Sequence, residues 1–428
     1  MNRKAEERNP WLWIPSLYLA EGLPLYLVSF VTTVMYQNLG ISNTEIAFYT
    51  SILYLPWVIK PFWSPLVDNL KTKRFWVIIM QFTITLGLVG IVLSLNTSAY
   101  FLISIFIFYI IAFSSATHDI AADGFYMLGL NQHDQSFFVG VRSTFYRFAK
   151  LLIQGGLVVL AGILINYTEN PFEGWMISFS VAAIVFAALA IYHKRILPFP
   201  VIDDNRMKNT VSELVKSFTE TFRTFFKKKQ IVVVLLFILF YRFAEAQIDK
   251  IAVLFLLDDS MSGGLGLNNE SIGFVYGTVG VIALSLGGIL GGIAASRKGL
   301  KFWIWWMLLA INLPDLVYVY LAATQTSNFI LINICVAVEQ FGYGFGFTAF
   351  MLYLIYISDG EYKTAHYAIA TGLMALGMML PGMISGWIQE QVGYLNFFIW
   401  VCISTIPAFI ITKFIKIDSE FGKKRLNT

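Results

Sequence analysis

The chain has 428 residues, of which 57% are hydrophobic and only 13% are charged. Soluble domains carry about 25% charged residues, so this composition excludes an ordinary soluble protein and indicates a membrane protein. The net charge of +4 says little about partners, because the basic residues serve membrane topology, and we expect no nucleic-acid partner. Cys335 and Cys402 lie within apolar runs and predict neither a disulfide framework nor a metal site.

Apolar runs of about 20 residues, long enough to cross a bilayer as helices, recur along the whole chain. The run from Trp11 is too long for a cleavable signal peptide. We predict twelve spans, numbered in chain order: 11–37, 45–65, 75–95, 100–128, 137–165, 175–193, 231–257, 271–295, 302–322, 329–357, 365–388 and 395–415. The predicted fold is an all-α membrane protein with six-helix bundles over 1–198 and 230–428, joined by a linker over 199–229.

Lys and Arg outside the spans lie in alternate connections. The connections that lack both residues are 38–44, 96–99, 166–174, 258–270, 323–328 and 389–394. One further connection, 129–136, also lacks both residues. The remaining connections and both termini are basic, and cytoplasmic segments carry the excess of Lys and Arg. The pattern therefore predicts a multi-pass protein of the inner (cytoplasmic) membrane with both termini in the cytoplasm.

The long connection between spans six and seven contains a predicted amphipathic helix. Its apolar face comprises Val211, Leu214, Phe218, Phe222 and Phe225. Three lysines follow at 227–229, so the segment is typical of a helix lying on the inner leaflet. The pattern favours a linker that keeps the two halves close over a regulatory role.

Thirteen charged residues lie within the predicted spans, at least five residues from either end. They are Lys60, Arg142, Arg147, Lys150, Arg242, Lys250, Glu21, Asp119, Asp123, Glu245, Asp249, Asp315 and Glu339. A charge at mid-bilayer costs at least about 2.5 kcal/mol. We therefore expect these side chains to face a polar cavity or to pair with one another, and a purely structural ion pair is the alternative for each.

Several of these charges are predicted to lie at one depth. With about 1.5 Å of rise per residue, Glu21, Asp119, Arg147 and Arg242 reach similar levels on four different spans. Transporters of repeated build bind their substrates near this level. The arrangement favours a functional site.

Pairing follows from the same depths. We expect Asp123 to pair with Arg142 and Asp119 to pair with Arg147, with Glu21 close by. Asp119, Asp123 and Glu21 are therefore the candidates for proton coupling.

Three positions, His118, Asp315 and Lys250, keep two interpretations each, and Lys60 has one that is favoured. His118 is either a proton relay or a core histidine next to Asp119. Lys60 is expected to extend toward the interface. Asp315 and Lys250 are equally compatible with structure and with function.

Two repeated turns carry a resemblance to a known family. The chain reads SPLVDNLKTKR over 64–74 and GIAASRKGLK over 292–301. With six-plus-six helices and a basic central loop, these turns resemble the major facilitator superfamily motif G-x-x-x-D-R-x-G-R/K-R/K, although Ser64 and Ser296 replace its Gly and Asp. The resemblance implies gating roles for Asp68, Arg74 and Arg297.

A second resemblance is more specific. The sequence ATHDIAADG over 116–124 resembles the span-four pattern of AmpG-type permeases and their acetyl-CoA-transporter relatives, with His118 where Gln is usual. The sequences GLPL over 22–25 and KPFWSPLVD over 60–68 are also similar to that branch. The resemblance implies proton-coupled import of anhydromuropeptides, such as GlcNAc-anhydroMurNAc with or without its peptide. We expect no cofactor, and a monomer is the default expectation.

Such a substrate suggests binding residues of two kinds. Arginines bind carboxylates through paired hydrogen bonds, and aromatic rings stack on sugars. The candidates are Arg142, Arg147, Arg242, Glu245, Glu339, Tyr26, Trp57, Tyr146 and Tyr241. In span ten, Gly342, Gly344 and Gly346 predict a helix that is either mobile or closely packed.

Other functions remain open at this point. A carrier of another anionic or sugar solute, such as an oligosaccharide or an acyl-CoA, would use similar residues. A receptor or an intramembrane enzyme is the second alternative. We expect no enzyme, because the chain contains neither an H-E-x-x-H nor a G-x-S-x-G motif.

Overall fold

The computed structural model describes residues 8–130, 132–199, 211–360 and 362–422, and these residues are mostly helical and include no strand. Within them, ten segments are long and apolar enough to cross a bilayer. Span numbers are kept below for the matching helices. The prediction of an all-α membrane protein is confirmed.

The helices of the first half have the following bounds. Span one comprises Ile14–Tyr26, Leu27–Val31 and Thr32–Asn38, span two comprises Asn43–Ile52 and Leu55–Leu70, span three is Lys73–Ser94, and span four is Tyr100–Gly129. Span five comprises Gln132–Lys150, Leu151–Leu157 and Val158–Thr168, and span six is Pro171–Ile196. The linker helix is Val211–Phe226.

The helices of the second half are more often interrupted. Span seven comprises Ile231–Phe240 and Phe243–Leu257, span eight comprises Asn269–Ile272, Gly273–Gly280 and Val281–Lys298, and span nine comprises Leu300–Asn312, Leu313–Asp315 and Leu316–Thr324. Span ten is Phe329–Ser358. Predicted spans eleven and twelve lie within Lys363–Ser404 and Ile406–Thr412.

Two features separate the ten crossing segments from the twelve predicted spans. Span two is divided at Leu53 and Tyr54, so neither of its helices reaches the length of a crossing segment. The predicted spans eleven and twelve form one 48-residue segment, Ala365–Thr412, in which Gly393 has non-helical backbone angles of φ 74° and ψ 166°. The count of twelve therefore stays a prediction.

Helix starts follow local sequence signals. Ser42 accepts a hydrogen bond from the backbone N–H of Glu45, and Thr72 does the same for Phe75. Asn170 caps span six ahead of Pro171, a residue whose fixed φ suits the first helical position. Such caps satisfy backbone donors that have no partner inside the helix.

The chain forms two compact units. Unit 1 comprises residues 1–39 and 59–216, and unit 2 comprises residues 40–58 and 217–428. The first part of span two thus packs within unit 2, where a Cβ added at Gly386 of span eleven would lie 2.1 Å from the carbonyl oxygen of Asn43. In unit 1, Trp13 and Phe125 pack edge to face in the core with ring centroids 5.2 Å apart.

Spans eight and ten pack backbone against backbone in unit 2. A Cβ added at Gly344 would lie 2.1 Å from the carbonyl oxygen of Leu284, and one at Gly287 would lie 2.1 Å from that of Phe341. Small residues permit such close approach between membrane helices. Of the two alternatives for the glycines of span ten, the structure supports close packing.

Three spans contain a π-helical segment. These wide turns are Leu27–Val31 in span one, Leu151–Leu157 in span five and Gly273–Gly280 in span eight. Wide turns of this kind often occur at functional positions inside α-helices.

The linker helix is present as predicted, and its C-terminal end packs within unit 2. Phe225 is fully buried, and its ring meets that of His366 edge to face at 5.5 Å. The hydroxyl oxygen of Thr224 lies 3.0 Å from Nε2 of His366. After the helix, Nζ of Lys228 donates hydrogen bonds to backbone carbonyls at the end of span ten.

Candidate substrate and proton site

A half-exposed ion pair forms the centre of the candidate site in unit 1. Nη2 of Arg142 lies 3.2 Å from Oδ1 of Asp123. The Tyr18 hydroxyl donates to Asp123 at 3.2 Å and accepts from Nη1 of Arg142 at 3.1 Å. The side chains of Arg142 and Asp123 are 31% and 44% exposed, so water and a solute can reach them. The predicted Asp123–Arg142 pair is therefore present in the structure.

Asp119 has a different partner from the one expected. Its Oδ2 lies 3.6 Å from Nζ of Lys60, whereas Arg147 is exposed and has no ion-pair partner among the described side chains. The expected Asp119–Arg147 pair is therefore wrong. Ala149 packs against Gly22 of span one. Arg142 precedes it by two helical turns and shares that face, while Arg147 precedes it by two residues and points away.

Lys60 also departs from expectation, because it pairs with Asp119 on the neighbouring span rather than only extending toward the interface. Glu21 is buried, and Oε2 of Glu21 has no hydrogen-bond partner among the described residues. The negative charges of Asp123 and Asp119 repel a carboxylate at Glu21, whereas the positive charges of Arg142 and Lys60 attract it. Glu21 therefore lies close to both ion pairs, as expected.

His118 belongs to a buried hydrogen-bond network. Its Nε2 lies 2.9 Å from Nε2 of Gln81, and Oε1 of Gln81 lies 2.9 Å from Nδ1 of His193. Nε2 of His193 is 3.0 Å from the hydroxyl of Ser16. Both imidazole rings are fully buried, which supports the core interpretation of His118. No local pattern connects His193 with His118, because they lie on different spans.

The aromatic candidates have different environments. Tyr26 and Tyr146 are half-buried, and their rings meet edge to face at 5.9 Å. Trp57 is half-buried in the part of span two that packs within unit 2. Tyr241 is fully buried, donates to the backbone carbonyl of Gly346 at 2.9 Å and has no free face for a sugar. We therefore correct its assignment to a core residue.

Arg242 is held among aromatic rings in unit 2. It donates a hydrogen bond to the Tyr343 hydroxyl, and its guanidinium carbon lies 5.0 Å from the Tyr343 ring centroid and 4.8 Å from that of Phe347. Cation–π contacts of this kind contribute about 0.5–2 kcal/mol each. Because Arg242 is buried, a substrate carboxylate would reach it only after the rings move.

Glu245 and Glu339 are buried in the same unit. Glu339 accepts hydrogen bonds from the Tyr318 hydroxyl at 3.1 Å and from Nε2 of Gln340 at 3.0 Å. The Tyr276 hydroxyl lies 3.0 Å from that of Tyr318. These donors stabilise a carboxylate at position 339.

The three gating candidates have different environments, and the structure describes the side chains of two of them. Arg74 donates to the backbone carbonyls of Leu197 and Lys194 at the end of span six, where a cation complements the helix dipole. Arg297 is exposed, with no hydrogen bond or ion pair in the described part of the chain. Asp68 lies in a described helix, but its side chain is outside the described residues.

A polar cluster in unit 2 was not expected from the sequence. Nδ2 of Asn43 lies 3.0 Å from Oδ2 of Asp258, 2.9 Å from Oε1 of Gln389 and 2.9 Å from the Tyr394 hydroxyl. Asp258 also accepts a hydrogen bond from Tyr394. These residues come from three predicted connections that are far apart in the chain, and the packing of the helices in unit 2 brings them together.

The chain resembles known transporters over nearly its whole length. The sequence profile described as Major Facilitator Superfamily matches residues 16–386. The "Putative transporter AmpG 4" of Rickettsia conorii is 25% identical, covering 93% of this chain and 94% of that protein. The "Anhydromuropeptide permease" of Escherichia coli K12 is 23% identical, covering 92% of this chain and 77% of that protein.

Solved structures of transporters share the fold. The nucleoside transporter NupG (D323A mutant) has a TM-score of 0.72 at 16% identity and covers 95% of this chain and 100% of its own. A D-xylose-proton symporter has a TM-score of 0.71 at 12% identity and covers 97% of this chain and 99% of its own. At these identities the likeness shows the fold alone.

Proposed function

Because the chain belongs to the Major Facilitator Superfamily and is a multi-pass membrane transporter, we propose that it is a symporter. In this proposal it imports anhydromuropeptides across the inner membrane together with protons, by alternating access. The observation that carries the proposal is the half-exposed Asp123–Arg142 ion pair, which the buried Tyr18 bridges, beside the buried Glu21. The AmpG-type relatives support the choice of substrate.

The substrate's chemistry matches the exposed part of unit 1. An anhydromuropeptide carries carboxylates and sugar hydroxyls, and a guanidinium binds a carboxylate through two parallel hydrogen bonds. Arg142 is the reachable arginine of the site, while Arg147 is exposed on another face of the same helix. The edge-to-face pair of Tyr26 and Tyr146 would contact the sugar rings.

In this proposal, proton coupling is assigned to three acids of the candidate site, Glu21, Asp119 and Asp123. Two influences on the protonation of Asp119 oppose each other. The positive charge of Lys60 favours its carboxylate form, and the membrane interior favours its neutral form. Protonating Asp119 would release Lys60 and change the charge that Glu21 experiences. A proton gradient could then shift the balance between the two access states.

The experiment is uptake of labelled GlcNAc-anhydroMurNAc into proteoliposomes with an imposed proton gradient. Wild-type protein should accumulate the solute, and a protonophore should abolish the accumulation. Asp119→Asn should lose accumulation while remaining folded, whereas Glu173→Gln, at the exposed start of span six, should retain it. Wild-type accumulation by Asp119→Asn would remove Asp119 as a proton site. Uptake of an oligosaccharide or acyl-CoA instead would replace the substrate.

The same proposal places both termini in the cytoplasm and treats the carrier as a monomer. A cysteine introduced into the C-terminal tail should react with a membrane-impermeant maleimide only after spheroplasts are permeabilised. Labelling in intact spheroplasts would reverse the orientation.

A further inference from the structure

Three carboxyl groups are buried inside unit 2, and the ion pairs described above belong to unit 1. Glu245 of span seven is 4% exposed, while Asp315 of span nine and Glu339 of span ten are each 1% exposed. All three lie well inside their spans. Ionisable groups at such depth are costly and typically serve ion or substrate pathways.

Asp315 has the least support as a carboxylate. It ends the short 3-10 turn Leu313–Asp315, which contains Pro314 and interrupts span nine. Both of its carboxyl oxygens are buried without a hydrogen-bond partner among the described residues. The charges that act on it are those of Glu245 and Glu339. An unpaired carboxylate in such a place is strongly destabilised, and a bound proton replaces the buried charge with a neutral group.

Among the described residues, the charges that act on Asp315 include no cation. The thiol of Cys402 interacts electrostatically with Asp315. The Tyr276 hydroxyl lies beside the Tyr318 hydroxyl, which donates a hydrogen bond to Glu339. Glu339, in contrast to Asp315, receives hydrogen bonds that favour its ionised form. Since like charges in close contact disfavour simultaneous ionisation, the cluster is arranged for one acid to hold a proton while another is ionised.

We propose that Asp315, with Glu245 and Glu339, forms a second proton-binding site of this carrier. Binding converts the carboxylate of Asp315 to a carboxylic acid, and release returns the proton to water when the surrounding spans move. A purely structural carboxylic acid is a poor explanation, because its O–H would also lack a partner here and would contribute nothing to stability. The site goes beyond the proposed function, and only its coupling to uptake rests on that function.

The first test needs no substrate. Infrared spectra of purified protein in lipid, recorded at neutral pH, should show the C=O band of a protonated carboxyl that is lost in Asp315→Asn. Asp249→Asn, an exposed acid on the same helix as Glu245, is the control and should retain the band. A band that is unchanged in Asp315→Asn, or absent from the wild type, would overturn the proposal.

A second measurement covers the case in which Asp315→Asn does not fold. The melting temperature of the wild type should fall as the pH rises, because unfolding lets the buried acid ionise and the folded state holds more protons. Glu245→Gln removes one neighbouring charge and should flatten this slope. An unchanged slope in Glu245→Gln would contradict the cluster.

Uptake then tests the coupling. Asp315→Asn should lose accumulation driven by a proton gradient but keep solute exchange at equal concentrations on both sides. Accumulation that follows a sodium gradient, with no carboxylic acid band, would overturn the proton assignment. If wild-type protein takes up no anhydromuropeptide, the proposed function fails, while the infrared result still decides whether Asp315 holds a proton.

Discussion

Replacing Gly344 by alanine tests the backbone contact between spans eight and ten. The added Cβ would lie 2.1 Å from the carbonyl oxygen of Leu284, and contacts under 3.0 Å require something to shift. The obstacle is backbone on a facing helix, so the two spans must separate by roughly 1 Å, which opens gaps between their other side chains.

The cost of Gly344→Ala can be worked from these distances. Overpacking costs about 1–3 kcal/mol. Because both backbones in contact belong to rigid helices, we take the upper value of about 3 kcal/mol. Alanine's better helix propensity offsets about 1 kcal/mol. The net loss of about 2 kcal/mol should lower the melting temperature by roughly 4 °C.

The measurement is thermal unfolding of purified protein in detergent, followed by tryptophan fluorescence. Gly292→Ala is the matched control, because it lies in span eight and a Cβ there would have no atom within 4 Å. It should unfold at or slightly above the wild-type temperature. Equal melting temperatures for Gly344→Ala and Gly292→Ala would refute the close contact.

Three further substitutions test other parts of the structure. Gln81→Leu leaves the buried rings of His118 and His193 without their shared partner and should cost about 1–3 kcal/mol, read as a lower melting temperature; an unchanged value would contradict the network. Gly393→Ala forces a left-handed φ of 74° on a side chain and should cost about 1–3 kcal/mol; unaltered stability would place that bend elsewhere. Burial lowers the pKa of Lys228, with a neighbouring carboxylate acting in the opposite sense. At pH values between the lowered pKa of Lys228 and its ordinary pKa, the unfolded chain holds more protons than the folded chain, so stability should rise with pH. Lys228→Met should remove this rise, and an identical pH profile would disprove the contribution.

The charge pairs show how far sequence reasoning reaches. Depth along a helix was sufficient to predict Asp123 with Arg142, because both lie near one end of adjacent spans. Depth alone failed for Asp119, whose partner depends on which way Arg147 points around its helix. Lys60 pairs with Asp119 instead of Arg147, because span two lies beside span four.

Other parts of the site lacked any local signal. The contacts of Asn43 depend on residues far apart in the chain, and nothing in its own neighbourhood indicates them. The apolar pattern predicted the all-α membrane class without difficulty, since lipid leaves a spanning segment few alternatives to a helix. It could not place the broken turn at Asp315, because a proline inside a span can kink, break or simply be tolerated.

The wide turns in spans one, five and eight have a mechanical consequence. Each wide turn inserts an additional residue into the helical register, and one residue corresponds to about 100° of rotation around the helix axis. If such a turn migrates along its span, one end of the helix swivels against the other while almost every amide keeps an internal partner. A carrier surrounded by lipid would thereby gain a way to re-aim side chains without unwinding any helix.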